Sequence, residues 1–366
     1  MACKVLIVDD SAIVRKVLSQ ELAKDPEIQV VGTAMDPLDA SEKIESLNPD
    51  VLTLDLEMPK MDGLTFLRSL MRHHPMPVVV VSAYTPKGSK LAMEALDSGA
   101  VEIVPKPGMS MHITEMTVEL VAKIKGASQA RMRKVPPRTP ATQPATGGAT
   151  PPHRREFSPG GPNAPLNVLA PLVRSPSPDR IIAIGSSTGG TQALQYLLMR
   201  LPANMPPILI AQHMPAGFTT TFADRLNQIS QLTVKEAVHH DSVTPGTVLV
   251  APGGKHMELR KTGSRYWVEL NEGPKVCRQR PSVEVLFDSV AKHAGKNAIG
   301  CILTGMGNDG AQGMLHMREA GSVNIAEDEK SCVVFGMPKE AIAAGAAHHI
   351  VHLHQIPEKL HALALS

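Results

Sequence analysis

Two sets of side chains in this chain of 366 residues have types and spacings that could do chemistry. The first is built on a hydroxyl. Ile182 to Gly190 reads IAIGSSTGG, with apolar residues from Ile181 to Ile184 running into Gly185 and a helical pattern after Gly189 and Gly190. That is a strand turning sharply into a helix. Gly185, Ser187 and Gly189 fit the G-x-S-x-G elbow, whose small flanking residues lift the serine clear of a sheet. A serine hydroxyl is a poor nucleophile at neutral pH, so it needs a base to take its proton and donors to hold the oxyanion that forms. His213 in AQHMP is the candidate base, and Asp309 in TGMGNDG is the carboxylate that could hold its tautomer. The backbone N–H of Thr188, at the start of the helix, is the candidate oxyanion donor.

The second set is acidic. Asp9-Asp10 follows the apolar run Lys4–Val8, Asp55 ends Val51–Leu54, Ser82 closes Val78–Ser82, and Lys106 follows Val101–Val104. Three carboxylates at one edge repel one another unless a cation joins them. A hard, oxygen-seeking Mg²⁺ bound by Asp9, Asp10 and Asp55 is the natural companion. Asp55 then stands as a carboxylate nucleophile toward a phosphoryl group. Lys106 would neutralise charge and the Ser82 hydroxyl would donate to a phosphoryl oxygen.

Both sets need an edge on which separate strands end together. Five short apolar runs, with Val30–Ala34 as the second, alternate with helical patterns over residues 1–125 and predict a doubly wound parallel sheet. Ligands of such sheets sit at the carboxyl ends of the strands. Residues 179–366 predict a second α/β unit with a mainly parallel sheet. There the runs Pro207 to Ala211 and Ala298 to Leu303 would deliver His213 and Asp309 to the edge that carries Ser187. The order Ser, His, Asp is not the Ser, Asp, His of α/β-hydrolases. Triads recur by geometry on unrelated folds, so the difference argues against that fold and not against the chemistry.

Between these units, residues 126–178 hold 12 of the 31 prolines and almost no large apolar residues, which predicts a linker, partly extended. Seven basic residues (Arg131, Arg133, Lys134, Arg138, Arg154, Arg155, Arg174) face Glu156 alone there, a balance of +6 in a chain whose net charge is +2. The basic character therefore belongs to the linker, and nucleic-acid binding by the folded parts is not expected. No apolar run reaches the ~18 residues of a membrane span, and Asp9-Asp10 stands where a signal peptide would be hydrophobic, so a cytoplasmic protein without membrane insertion is expected. Cys3, Cys277, Cys301 and Cys332 lie far apart with no C-x-x-C pair, which suggests neither zinc nor a disulfide framework.

Other patterns compete. Gly305, Gly307 and Gly310 form G-x-G-x-x-G between a strand and a helix, and Glu327-Asp328 follow the next apolar run, as in a dinucleotide site. Against that reading, Asp309 puts a carboxylate into the loop that should offer bare N–H groups to a pyrophosphate. His348, His349, His352 and His354 are dense enough for a metal site, but on an alternating strand His349 faces away from the others, and a solvated strand face is expected. His73-His74 and His239-His240 read as helix-end or turn residues. His256, Arg278 and Arg280 could reach the site edge or serve structure alone.

Residues 1–125 resemble a two-component response-regulator receiver domain, a flavodoxin-like fold. VDDS, LTLDLEMPKMDG, VVVVSAY and IVPKPG stand at that family's motif positions. The resemblance implies that Asp55 accepts phosphate from a histidine kinase, that Asp9 and Asp10 help bind Mg²⁺, and that Ser82 and Lys106 read the phosphorylated state. Ile103 stands where receivers usually carry an aromatic residue. Similarly, IAIGSSTGG, AQHMPAGF, APGGKHMEL, CRQRPSVEVLF, ILTGMGNDGAQGM and SCVVFGMPKEA closely resemble the catalytic domain of the chemotaxis-type protein-glutamate methylesterases, the CheB family. That resemblance implies hydrolysis of γ-glutamyl methyl esters on methyl-accepting chemotaxis receptors, deamidation of specific glutamines, and Ser187, His213 and Asp309 as nucleophile, base and orienter. It also suggests a receiver that covers the serine edge until Asp55 is phosphorylated. A receptor-binding module without turnover is the alternative class.

Overall fold

The computed structural model describes residues 2–58, 62–83, 85–106, 113–132, 168–173 and 179–365. In the N-terminal half the chain runs β1 (Cys3–Val8), α1 (Ala12–Leu22), β2 (Ile28–Ala34), α2 (Pro37–Leu47), β3 (Val51–Asp55), α3 (Gly63–His73), β4 (Val78–Ser82), α4 (Pro86–Asp97), β5 (Glu102–Pro105) and α5 (Ile113–Ser128). The five strands are parallel in the order β2-β1-β3-β4-β5. Helices cover both faces, so β3 and β4 are buried along their whole length, which is why they read as continuous apolar runs. The strand order reverses direction between β1 and β3. Val8 pairs with Leu54 there, so Asp9 and Asp55 leave the sheet side by side.

The C-terminal half runs β6 (Ile181–Ser186), α6 (Gly190–Leu198), β7 (Ile208–Gln212), α7 (Phe218–Ile229), β8 (Thr233–Glu236), β9 (Thr247–Val250), β10 (His256–Thr262), β11 (Arg265–Asn271), α8 (Val283–His293), β12 (Ala298–Ile302), α9 (Ala311–Glu319), β13 (Val323–Glu327), α10 (Met337–Ala343), β14 (His349–Val351) and α11 (Ile356–Leu365). Seven strands form a wholly parallel sheet in the order β14-β13-β12-β6-β7-β9-β8, while β10 and β11 make a separate antiparallel hairpin. The chain leaves β6 toward β7 and later returns on its other side as β12. The three strands that end in Ser187, His213 and the Asp309 loop are therefore the adjacent β6, β7 and β12, at the switch point where ligands of open α/β sheets bind.

Helix α5 continues to Ser128, past the boundary at residue 125 drawn from composition, because Ile124 and Ala127 are still buried. The chain beyond it docks on the C-terminal half. Arg131 N–H donates to Val333 O at 3.0 Å and its guanidinium pairs with Glu329 at 2.6 Å. At the far end of the expected linker, Leu169 N–H donates to Arg200 O and Leu172 is buried. Within the expected 126–178 segment, Arg131, Leu169 and Leu172 are thus held against the catalytic half. Residues 133–167 and 174–178 lie outside the described residues.

One apolar core joins the two halves. It includes Met93 and Leu96 of α4 together with Leu194, Leu198 and Phe222 of α6 and α7. Polar contacts run along the same seam. Gln192 Nε2 donates to Leu96 O and Ala100 O, Gln195 Nε2 donates to Asp97, and Arg225 pairs with Asp97.

The four cysteines are free. Among the described residues, no helix is long and apolar enough to cross a membrane. The histidine run is not a solvated alternating strand: β14 is three residues long, His352 caps a following 3₁₀ turn, and His354 stacks on Tyr196 at 4.8 Å. His73 ends α3, His74 caps it, and His240 sits in a positive-φ turn, as the sequence suggested.

Candidate active site

Strand register brings the serine and the histidine together. Ser186 pairs with Gln212 across β6 and β7, and His213 N–H donates to Ser186 O at 3.1 Å, so Ser187 and His213 are the first residues past the paired ends. The elbow is tight. A Cβ at Gly185 would overlap Val283, and Gly189 holds φ +79° with Val333 packed on it, a conformation that suits glycine. Ser187 N–H donates to Thr304 O at 3.0 Å, and Thr304 Oγ1 donates to Thr188 O at 2.9 Å, which fixes the turn from the β12 side.

Ser187, His213 and Asp309 are all buried, at 5%, 4% and 2% exposure. His213 Nε2 lies 2.6 Å from Asp309 Oδ2. An ionised Asp309 accepts there, so the proton of the neutral ring sits on Nε2 and the Nδ1 lone pair is left as the base. Nδ1 is buried and makes no hydrogen bond among the described residues. Ser187 and His213 line one pocket, with no hydrogen bond between their side chains. Catalytic hydrogen bonds are often long or poorly aligned before substrate arrives and tighten in its complex.

Asp309 is anchored by a helix N-terminus that the sequence reading did not single out. Its Oδ1 accepts from Ser282 Oγ at 2.7 Å and from Glu284 N–H at 3.0 Å, and its Oδ2 accepts from Val283 N–H at 2.7 Å. Burial alone would raise its pKa. The bonds from His213, Ser282 and Val283 outweigh burial and hold the carboxyl below its ordinary value. His256 supports this arrangement: Nδ1 accepts from Ser282 N–H at 3.3 Å and Nε2 contacts Pro274 O at 3.0 Å. Arg280 donates to Glu272 O and Gly273 O. Both residues thus hold loops in place, and Arg278 is exposed. S-V-E ahead of an apolar helix, a helix-start pattern, was the available signal.

The G-x-G-x-x-G loop is not a phosphate cradle. Glu284 Oε2 takes the Gly310 N–H at 2.9 Å, Asp309 points into α8, and Glu327 is fully buried with Oε2 accepting from Thr304 N–H at 2.8 Å. No ribose could reach that acid.

Of the two neighbouring serines, Ser186 is committed to the core. It is fully buried and donates to Gln212 Oε1 at 2.6 Å, while Gln212 Nε2 donates to Ser187 O and His213 O. Thr188 N–H makes no hydrogen bond among the described residues, which leaves it free to donate. The space before Ser187 and His213 is walled on the other side by Leu96, Val101, Glu102 and Ile103 of the N-terminal half.

The second set also converges. Ligand oxygens of Asp9, Asp10 and Asp55 lie within 4.8 Å of one another, Asp9 and Asp55 buried and Asp10 exposed. One oxygen of Asp9, Oδ2, is buried and is met by Lys106 Nζ alone among the described residues. An all-carboxylate donor set with one such oxygen suits a hard divalent cation. Lys106 Nζ lies 2.7 Å from Asp55 and 3.0 Å from Asp9. Burial raises the Asp9 pKa despite that lysine. Burial would lower Lys106, but its contacts with Asp55 and Asp9 keep it above its ordinary value. Ser82 Oγ donates to Gly88 O of α4 at 3.2 Å, and Lys106 N–H donates to Ser82 O at 2.7 Å.

A flavodoxin-like sheet with an acid cluster and lysine at its switch point, joined to a parallel α/β sheet with a buried Ser, His and Asp at its own, defines a receiver coupled to a hydrolase-type domain. Residues 5–117 match the response regulator receiver domain model and residues 182–360 the CheB methylesterase model. A protein-glutamate methylesterase/protein-glutamine glutaminase of Syntrophus aciditrophicus is 53% identical over 357 residues, covering 98% of both chains. One from Thiobacillus denitrificans is 50% identical over 364 residues, covering 98% of this chain and 96% of that one. The solved catalytic domain of Thermotoga maritima CheB methylesterase is 43% identical, covers 50% of this chain and 98% of its own, and superposes with a TM-score of 0.49. The chain belongs to the CheB family of receiver-linked protein-glutamate methylesterases.

Proposed function

We propose that the chain removes methyl groups from γ-glutamyl methyl esters, and amide groups from specific glutamines, on methyl-accepting chemotaxis receptors, under control of phosphorylation at Asp55. A cytoplasmic setting and a histidine kinase as phosphodonor go with this reading. The observation that carries it is the gathering of Ser187, His213 and the anchored Asp309 on adjacent strand ends at one switch point.

Ser187 Oγ adds to the ester carbonyl carbon as His213 Nδ1 takes its proton, and Asp309 stabilises the imidazolium through Nε2–H. The Thr188 N–H holds the developing oxyanion. His213 returns the proton to methoxide, which leaves as methanol, and water then cleaves the acyl-enzyme with His213 again as base. With a glutamine the leaving group is ammonia.

On the receiver, Asp9, Asp10 and Asp55 would hold Mg²⁺, which when bound offsets the negative charge brought by an incoming phosphoryl group. Asp55 supplies the attacking carboxylate oxygen, Lys106 pairs with the phosphoryl group, and the Ser82 hydroxyl turns to it. In doing so Ser82 lets go of Gly88 O in α4, the helix whose Leu96 walls the esterase pocket. The receiver then shifts from a covering to an uncovering arrangement, a change of population between two states.

Methanol release from methylated receptor membranes, with and without a small phosphodonor and Mg²⁺, tests the reading. Release that depends on Ser187 and rises with phosphodonor is expected. Receptor binding without methanol would make the chain a binding module instead.

A further inference from the structure

The acid that walls the esterase pocket comes from the receiver, and its side chain has the chemistry of the reaction product. Glu102 opens β5 and is buried. Its Oε1 accepts from the Thr188 hydroxyl at 2.5 Å, and its Oε2 pairs with Lys123 of α5 at 2.9 Å. It lines the same pocket as Ser187 and His213. A glutamate γ-carboxyl therefore lies against the residue that follows the nucleophile, in the space a glutamyl ester has to enter.

We propose that this is the subsite for the substrate's glutamyl side chain, with the Thr188 hydroxyl as its hydrogen-bond donor, and that Glu102 fills it from within the chain as a stand-in for the product. The proposal rests on the methylesterase reading above and extends it to a substrate-binding residue. Thr188 is held for the purpose: Thr304 Oγ1 bonds its carbonyl, and Gly126 of α5 packs against its hydroxyl with no side chain between. A hydroxyl donates equally well to an ester carbonyl, an amide carbonyl or a carboxylate.

Charge then separates substrate from product. A buried carboxylate needs a counter-charge, and the Lys123 that balances Glu102 belongs to the receiver and withdraws with it. The esterase residues that line the pocket include no lysine or arginine to replace it. The emptied subsite suits a neutral methyl ester or amide and disfavours the acid that hydrolysis leaves behind, which speeds product departure. Tethering gives Glu102 a high effective concentration at the subsite, so a single weak contact suffices to occupy it.

The test is Glu102→Gln in the full chain. If residue 102 occupies the substrate subsite, the amide introduced there is itself a substrate. Ser187 Oγ adds to the side-chain carbonyl carbon, ammonia leaves with the proton held by His213, and water hydrolyses the acyl-enzyme to restore glutamate. Peptide mass spectrometry is expected to find glutamate at position 102 increasing with incubation, and none in Glu102→Gln combined with Ser187→Ala. A Glu102→Gln chain that deamidates receptor glutamines while its own amide at position 102 stays intact overturns the proposal.

A second variant covers a chain that releases methanol but deamidates nothing. Glu102→Ala is expected to release methanol severalfold faster than the parent without phosphodonor. Acetate, the carboxylate fragment that the substitution removes, should inhibit it competitively without phosphodonor, while Lys123 of the covering receiver is still there to balance its charge. Acetate without effect overturns the proposal but leaves the methylesterase reading standing. No methanol from any variant under any condition refutes that reading, and the proposal with it.

Discussion

Ser186 Oγ donates to Gln212 Oε1 at 2.6 Å, so the two adjacent hydroxyls of the elbow are not equivalent. One is structural and the other faces the pocket. Ser186→Ala leaves a buried amide oxygen unpaired, which costs about 1–3 kcal/mol of stability, while methanol release stays within a few-fold of the parent. Ser187→Ala is expected to do the reverse, abolishing release with little change in the denaturation midpoint. Matched activity losses in the two variants would contradict this division.

Asp309→Asn tests the orienter. The amide keeps one acceptor oxygen, but its NH₂ can only donate, so it cannot replace the oxygen that accepts from the His213 ring while the other still serves the α8 N-terminus. The imidazole is left in the wrong tautomer, and turnover is expected to fall by roughly 10³–10⁴-fold, with KM changed far less. Steady-state kinetics on methylated receptor membranes separates the two constants.

Glu284 gives a pH signature in stability. Burial, then the neighbouring Asp288 and Asp309, push its pKa up to about 7 from 4.5. Between those values the folded state binds more protons than the unfolded one, so raising pH across the window removes stability. Glu284→Gln keeps an acceptor for the Gly310 N–H and cannot ionise. The parent should therefore lose stability relative to the variant from about pH 4.5 to about pH 7 and hold a constant deficit above. Urea midpoints across that range check the sign.

Asp55→Asn removes the phosphoryl acceptor while leaving an oxygen near Lys106. Basal methanol release is expected to match the parent, and the rise on adding phosphodonor and Mg²⁺ to vanish. Activation that survives would place the modified residue elsewhere.

The strands and their chemistry were legible because both sheets are parallel and buried. The strands that carry the sites are nearly continuous apolar runs; Asp9, Asp55, Ser82 and Lys106 stand at or just past their carboxyl ends, and Ser187 and His213 one residue beyond theirs. What was not legible depends on contacts between distant segments. Glu102 reads as an ordinary charged residue beside Val101 until the receiver is laid on the esterase, where it meets Thr188. The N-terminus of α8 is a common helix start, and only the fold brings it onto Asp309. The histidine run failed for a local reason: β14 stops after Val351, so alternation never had the length to act. The 125 boundary failed because it was drawn where the composition changes, whereas α5 runs on to Ser128 with Gly126 lying against Thr188 and Met306.

The apolar layer that runs unbroken from α4 into α6 and α7 bears on how the molecule comes apart. Two modules with separate cores would melt independently, whereas a shared one ties their fates, so heating the unmodified protein should give a single calorimetric transition. Phosphorylation, by parting that layer, would divide the heat absorption into two peaks, and the calorimeter would register the signalling state as a loss of cooperativity.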